Sequence, residues 1–345
     1  MRFAPRRRPQ APAEPPVDRV PTRRMPRPVP EDQWPPAQPQ PWAPPPYEPA
    51  PPEQERRPLL GRRRREQPPP GVRGPRRRRR LSLRIARGVV LAFLVQALLM
   101  LSLRWIDPPT TAFLAANPDG AIQQSVPVEH VSRNLLAAVI AHEDQALPYR
   151  DGAFDWLDMF SRATAHLRGG EDPSGSTIPQ QVAKNIFLTA EPSALRKAAE
   201  AGLSSELAVM VDDRRMLELY VNHAQFGPTI YGVCAATWYY FDSPPSSLSV
   251  GEAVQLVGLL PSPGHVRRAP GGGLDFQVDD GLGWLSRSHV INAQNRVPRH
   301  LEEKGFTPVE DAGVEGLAQD QPASDDDCSE MPKDVAELIA TEGTA

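Results

Sequence analysis

The sequence predicts a mainly α-helical fold, in which a helical domain follows a single membrane-spanning helix. Three observations support this prediction. An uncharged run of 16 residues, 88–103, lies between arginine-rich flanks. From about residue 115 to 305, apolar residues recur every three or four positions behind side chains that typically cap helices. The alternation of apolar and polar residues that is typical of strands is confined to short pieces.

The first 80 residues have a composition that does not support a folded core. They contain 24 of the 42 prolines and 20 arginines, and their net charge is +12. We therefore expect a disordered, Pro/Arg-rich cytoplasmic tail over residues 1–80. Its expected partner is anionic lipid at the membrane, or a cytoplasmic protein that recognises polyproline segments. No aromatic residues interleave with the arginine runs, so we expect no nucleic acid partner.

Residues 81–106 are predicted to be a transmembrane anchor. The apolar run is slightly shorter than the ~20 residues that cross a bilayer as a helix. Arg84, Arg87 and Arg104 can extend it by snorkelling, and Trp105 lies where an interfacial aromatic residue is typical. The positive-inside rule then places the N-terminus in the cytoplasm and the chain after Trp105 outside. A buried core helix is the alternative, while a cleaved signal peptide is disfavoured because it would begin near residue 1.

Residues 107–310 form the predicted folded domain. Residues 154–160 have more aromatic and apolar mass than a small helix needs, and they indicate either a core helix or a helix pressed against the membrane surface. Side chains that can begin helices occur at three further points: Ser132, Ser193 and the capping box of Ser249 with Glu252.

The C-terminal residues 311–345 are acidic and rich in small residues, so we expect a flexible tail there. The two cysteines, Cys234 and Cys328, lie far apart in the sequence. No Cys/His cluster has the spacing of metal ligands. We therefore expect neither a disulfide nor a metal site.

Residues 175–185 (GSTIPQQVAKN) carry the clearest chemical signal. Thr177 followed by Gln180 is a capping box. Free N–H groups at a helix start, the positive end of its dipole and a lysine one turn later favour an anion such as a phosphate. An ordinary amphipathic helix with a solvated polar face is the alternative. Three polar side chains share that face: Gln181, Lys184 and Asn185.

Five segments together resemble the family 51 peptidoglycan glycosyltransferases, in the order and spacing of that family. They are residues 143–145 (EDQ), 175–185, 196–200 (RKAAE), 215–227 (RMLELYVN with a following FG) and 240–263 (from YF through LSVGEA to LPSP). The resemblance covers about residues 105–305, and five linked motifs are far more specific than any one of them. We expect no penicillin-binding transpeptidase domain to follow, as in the monofunctional biosynthetic transglycosylases.

The resemblance implies a lysozyme-like helical glycosyltransferase domain on the bacterial cytoplasmic membrane that polymerises lipid II. In that reaction a GlcNAc 4-hydroxyl attacks C1 of the terminal MurNAc of the growing glycan strand with inversion, and undecaprenyl pyrophosphate leaves. Glu143 matches the family's catalytic base, and Glu200 matches its second carboxylate. The other expected site residues bind substrate: Asp144, Ser176, Thr177, Gln180, Gln181, Lys184, Asn185, Arg196, Lys197 and Asn222.

Three roles stay open for Glu200. It orients the donor, supports the pyrophosphate through a divalent cation (Mg²⁺ or Mn²⁺), or positions the neighbouring cationic groups. Without the other motifs, the expected role of Glu200 would be only a surface ion pair with Arg196, which stabilises a helix by ~0.3–0.5 kcal/mol. No other cofactor is expected, because the donor carries its own pyrophosphate leaving group.

Four positions depart from the family's usual residues. Leu147 replaces Phe, Arg150 replaces His, Ser174 replaces Gly and Pro192 replaces Arg. These departures leave open the alternative that the protein is a catalytically weakened, membrane-anchored scaffold. A lysozyme-like lytic enzyme is a further alternative, but it would cleave glycan and would not need the anion site.

Overall fold

The computed structural model describes residues 75–154, 176–189 and 193–344, and within these ranges the predicted mainly α-helical fold is confirmed. Residues 1–74 of the expected disordered tail and residues 155–160 lie outside the described ranges. Residues Arg267–Arg268 (β1) and Leu274–Asp275 (β2) pair in a small antiparallel sheet, with Arg267 opposite Asp275. The α-helices are α1 (Pro75–Ser102), α2 (Ala112–Ala116), α3 (Arg133–Glu143), α4 (Ile178–Phe187), α5 (Ala194–Met210), α6 (Asp213–His223), α7 (Val233–Phe241), α8 (Val250–Leu259), α9 (Gly283–Lys304), α10 (Thr307–Asp311) and α11 (Lys333–Glu342).

Three helices begin where the sequence places capping side chains. The Ser132 hydroxyl accepts a hydrogen bond from the Asn134 N–H, and the Ser193 hydroxyl accepts one at the start of α5. Ser249 and Glu252 form the predicted capping box of α8. Each cap satisfies backbone groups that the first helical turn leaves without partners, so these starts follow from local sequence.

Helix α3 lies at the centre of the core, and all but three of its residues are buried. It packs against α8 and α9, while α4 packs against α5 and α6. Gly258 allows α8 and α9 to lie close together, because a Cβ at this position would lie 2.6 Å from the Val290 Cα. Helix α3 therefore packs against a closely spaced pair of helices.

Helix α1 covers residues 81–102 of the predicted anchor 81–106. It begins at Pro75, so residues 75–80 are helical and do not belong to the expected disordered tail. Its stretch Ser82–Ser102, 21 residues with a mean hydropathy of 2.1, is long and apolar enough to cross a membrane. Only 6% of its most apolar 18-residue segment is buried in the described structure. This exposure disfavours the alternative that α1 is a buried core helix. The end of the anchor is fixed to α6, because Arg215 Nε donates to the Leu103 carbonyl (2.8 Å) and Nη2 donates to Asp107 (2.6 Å).

The C-terminal residues differ from the flexible tail expected over residues 311–345. Residues up to 344 include α11, and Val314, Val335 and Ile339 are buried in the same core as α3. Arg133, the first residue of α3, donates to the carbonyls of Val314 (3.1 Å) and Gly316 (2.5 Å). The acidic composition concealed this packing, because a few well-spaced apolar side chains suffice to dock a short helix.

The expectation of no disulfide was wrong. Cys234 and Cys328 form one, with their Cα atoms 5.9 Å apart. Both residues are buried, and Trp238 Nε1 donates to the Cys328 carbonyl (3.0 Å). The fold carries residue 328 back onto α7 across a sequence separation of 94 residues, which local spacing does not reveal.

Candidate active site

Glu143 is the last residue of α3, and its carboxylate is held from two sides. Gln181 Nε2 of α4 donates to Oε2 (2.6 Å), and His142 Nδ1 lies 2.8 Å from Oε1. Burial, and next the Glu143 carboxylate, raise the pKa of Tyr220, so its phenol stays protonated and donates to Gln181 Oε1 (3.2 Å). The Glu143 side chain is 11% exposed, so this carboxylate is oriented and still reachable.

Asp144 joins the end of α3 to the start of α4. Its two carboxylate oxygens accept a bidentate pair of hydrogen bonds from Arg150, at 2.5 and 2.7 Å. One of them also accepts the Ile178 N–H (2.9 Å), the first backbone donor of α4. The departure at Arg150 therefore has a structural function, because the guanidinium balances the buried carboxylate beside Glu143.

The start of α4 has the predicted capping box. The Thr177 N–H donates to Gln180 Oε1 (2.9 Å), and the Thr177 hydroxyl donates to the Ala153 carbonyl (3.0 Å). The Ser176 carbonyl accepts from Gln181 Nε2 (3.1 Å). These bonds fix the first turn of α4 and aim Gln181 at Glu143.

Glu200 of α5 lies in a cationic cluster. It is buried, at 1% exposed, and forms ion pairs with Lys197 and with Arg196 Nη1 (3.6 Å). Arg196 Nε is buried without a hydrogen-bond partner among the described residues. These pairs favour the third predicted role for Glu200, the positioning of neighbouring cations.

The described residues do not by themselves form a site for a divalent cation. No group of three or more His, Cys, Asp or Glu side chains converges within them. The Glu200 carboxylate is already occupied by two cationic side chains. We therefore assign no chemical step to a metal.

Lys184 of α4 is electrostatically coupled to both Glu143 and Glu200. Its Nζ lies 5.5 Å from the centroid of the Phe113 ring, over its face. Burial lowers the pKa of the Lys184 ammonium, while the Glu200 and Glu143 carboxylates act in the opposite direction. Both carboxylates are thus close enough to influence one ammonium group, which lies one turn after Gln181 on α4.

Comparison with known proteins is consistent with this geometry. Residues 112–272 match the family model described as transglycosylase. A biosynthetic peptidoglycan transglycosylase of Aeromonas hydrophila is 38% identical over 200 residues, which cover 56% of this chain and 84% of that protein. The chain belongs to the transglycosylase family.

Two further transglycosylases with the same description show how far the similarity extends. The protein of Pseudomonas aeruginosa is 38% identical over 171 residues, which cover 47% of this chain and 73% of that protein. The protein of Pasteurella multocida is 44% identical over 140 residues, which cover 41% of this chain and 56% of that protein. All the predicted site residues lie within the range that the transglycosylase model matches.

Two predicted substrate-binding residues of the transglycosylase domain lie in its interior. Asn222 is fully buried, and its amide exchanges hydrogen bonds with the Val126 backbone, at 2.9 and 3.0 Å. Asn185 is buried, and its Nδ2 lies 3.4 Å from the His223 carbonyl. The structure brings neither amide to the Glu143 carboxylate.

Sequence reasoning missed three residues that shape the site: His142, Arg150 as a partner of Asp144, and Tyr220. Tyr220 stands inside the fourth motif, so its position was a usable signal. Nothing local indicated that Arg150 would reach Asp144. Ser174, Gly175 and Pro192 lie outside the described residues, so the departures at Ser174 and Pro192 stay predictions.

Proposed function

We propose that this chain polymerises lipid II into glycan strands and releases undecaprenyl pyrophosphate. The observation that supports this most strongly is that the oriented carboxylate, Glu143, and the cationic cluster at Glu200 both act on the same ammonium group, that of Lys184. Membership of the transglycosylase family makes the chain a peptidoglycan glycosyltransferase of cell-wall synthesis.

Glu143 is the proposed base. A sugar hydroxyl is a poor nucleophile unless its proton is removed as the new bond forms. The hydrogen bond from Gln181 fixes one carboxylate oxygen, and His142 lies against the other. This arrangement holds the carboxylate ready to receive the proton of the acceptor's 4-hydroxyl.

The leaving diphosphate requires positive charge. Lys184, Arg196 and Lys197 together carry one more positive charge than Glu143 and Glu200 can balance. Arg196 Nε, which has no hydrogen-bond partner among the described residues, is a donor suited to a phosphate oxygen. Such preorganised cations stabilise charge that develops in the transition state, and an anion beside Lys184 would favour its ammonium form.

An apolar cavity supports a lipid-linked donor. It has a volume of about 620 Å³ and lies between α1, the end of α4 and α5. Its lining includes Leu91, Phe187 and Leu203. Leu203 lies one turn after Glu200 on α5, so an apolar chain in the cavity would pass close to the cationic cluster.

We further propose that the N-terminus is cytoplasmic and that the catalytic domain lies outside the bacterial inner membrane. Arginines cluster before the apolar stretch, as the positive-inside rule requires of a cytoplasmic flank. The Cys234–Cys328 disulfide supports an oxidising, extracytoplasmic setting for the domain. Anionic lipid, or a cytoplasmic protein that recognises polyproline segments, is the proposed partner of residues 1–80.

The decisive experiment follows polymerisation of labelled lipid II by the full chain and by Glu143→Gln. We expect the variant to lose about 100-fold or more in rate, because general-base catalysis contributes that much. Glu302→Gln, a change at an exposed position on α9, is the matched control and should leave the rate unchanged. Undecaprenyl pyrophosphate release separates polymerisation from glycan cleavage. A Glu143→Gln rate equal to wild type would refute the assignment.

A further inference from the structure

Gln96 is an unusual residue of the membrane anchor. It is the single glutamine in the uncharged run 88–103. Its side-chain amide leaves the helix and donates to Glu206 Oε2 of α5 (2.7 Å). Ser102, by contrast, satisfies its hydroxyl within α1 by donating to the Leu99 carbonyl (2.7 Å).

A side-chain amide inside a bilayer needs a hydrogen-bond partner, because lipid offers none. Polar side chains in membrane helices therefore tend to face other protein groups and to join helices. Gln96 lies with Leu99 and Leu203 along the cavity between α1 and α5. The Gln96–Glu206 hydrogen bond thus joins the anchor to α5 beside the proposed lipid-binding cavity.

Helix α5 is positioned by its packing on α4 and by its contact with α1. Among the described elements it packs mainly against α4 and α1. Its other face is open, with Leu195 85% and Val209 83% exposed. The strong link from Arg215 to Leu103 fixes the anchor to α6 and leaves α5 free of that constraint.

The same helix carries the cationic cluster. Glu200 precedes Glu206 by six residues, about 9 Å along the helix axis. A small change in the tilt of α5 against α1 would move Glu200 and its paired cations relative to Glu143, which belongs to α3.

We infer that Gln96 is a positioning residue for transglycosylation. Its hydrogen bond to Glu206 holds α5 at the angle that places the cationic cluster opposite Glu143. This inference rests on the proposed function, since the cluster is taken to bind the departing diphosphate. The anchor is then part of the catalytic apparatus as well as a membrane tether.

The test uses the full chain in liposomes with labelled lipid II. Gln96→Leu and Glu206→Leu should each lower kcat about fivefold, and the double variant should lose no more than either single variant, because one bond is removed in all three. KM for lipid II should change less than kcat, because leucine at position 96 keeps the lining of the cavity apolar. Exchanging the pair, by Gln96→Glu with Glu206→Gln, should restore most of the rate. Ser102→Ala is the matched control and should leave kcat unchanged.

A second measurement does not depend on activity. In a background of Leu99→Cys with Leu203→Cys, oxidative cross-linking reports the approach of α1 to α5, and Gln96→Leu should slow it severalfold. If the wild-type chain polymerises and Gln96→Leu alters neither cross-linking nor kcat, the inference is overturned. Independent, multiplicative losses in the double variant would also overturn it. If the wild-type chain does not polymerise at all, the proposed function fails, and cross-linking still decides whether the bond joins the two helices.

Discussion

Loss of the Cys234–Cys328 disulfide should destabilise the domain substantially. The bond closes a loop with a sequence separation of 94 residues. The chain-entropy relation gives about 4.7 kcal/mol for a loop of this length, and measured losses for native disulfides are typically ~2–5 kcal/mol. The double variant Cys234→Ala with Cys328→Ala should therefore unfold with a free energy lower by about 3 kcal/mol or more.

The assay is thermal unfolding of the full chain in detergent micelles, with and without reductant. For a domain of this size, about 3 kcal/mol corresponds to a fall in Tm of about 10 °C. Reductant should lower the Tm of the wild-type chain and leave that of the double variant unchanged. A double variant with the Tm of the oxidised wild type would refute the reasoning, since the closed loop would then contribute nothing.

Three further predictions concern single residues. Arg150→Ala leaves the Asp144 carboxylate buried without its cation, and should lower the free energy of unfolding by about 3 kcal/mol or more; a shift under about 1 kcal/mol in denaturant melts would contradict the pairing. Burial lowers the pKa of His223 to about 4. The unfolded chain takes up a proton on this histidine near pH 6.5, whereas the folded chain does so only near pH 4. The contribution of His223 to the free energy of unfolding, about 3 kcal/mol, is therefore complete above pH 6.5. It should be lost as the pH falls from 6.5 to about 4. His223→Gln should flatten this loss, and an unchanged pH profile would contradict it. Burial also lowers the pKa of Lys184, so the loss of activity at alkaline pH should begin below the usual range of lysine. In an active Lys184→Arg variant this loss should move to higher pH, because arginine keeps its charge. An alkaline limb that stays in place would show that Lys184 does not set it.

Local patterns were sufficient for much of the helical fold. The starts at Ser132, Thr177 and Ser249 follow from side chains that bond within four residues, so their partners are visible in the sequence. The uncharged run 88–103 indicated the anchor by composition alone. The order of the motifs likewise indicated Glu143 and Lys184 before any geometry was known.

The tertiary structure decided the contacts that join distant parts of the chain. The Cys234–Cys328 bond, the docking of residues 314–344 and the Gln96–Glu206 hydrogen bond all depend on where the helices lie in space. Such contacts produce no periodic pattern in the sequence, because each requires only one or two side chains of common residue types. Whether a carboxylate faces cations or solvent is likewise set by packing, and packing is a property of the whole chain.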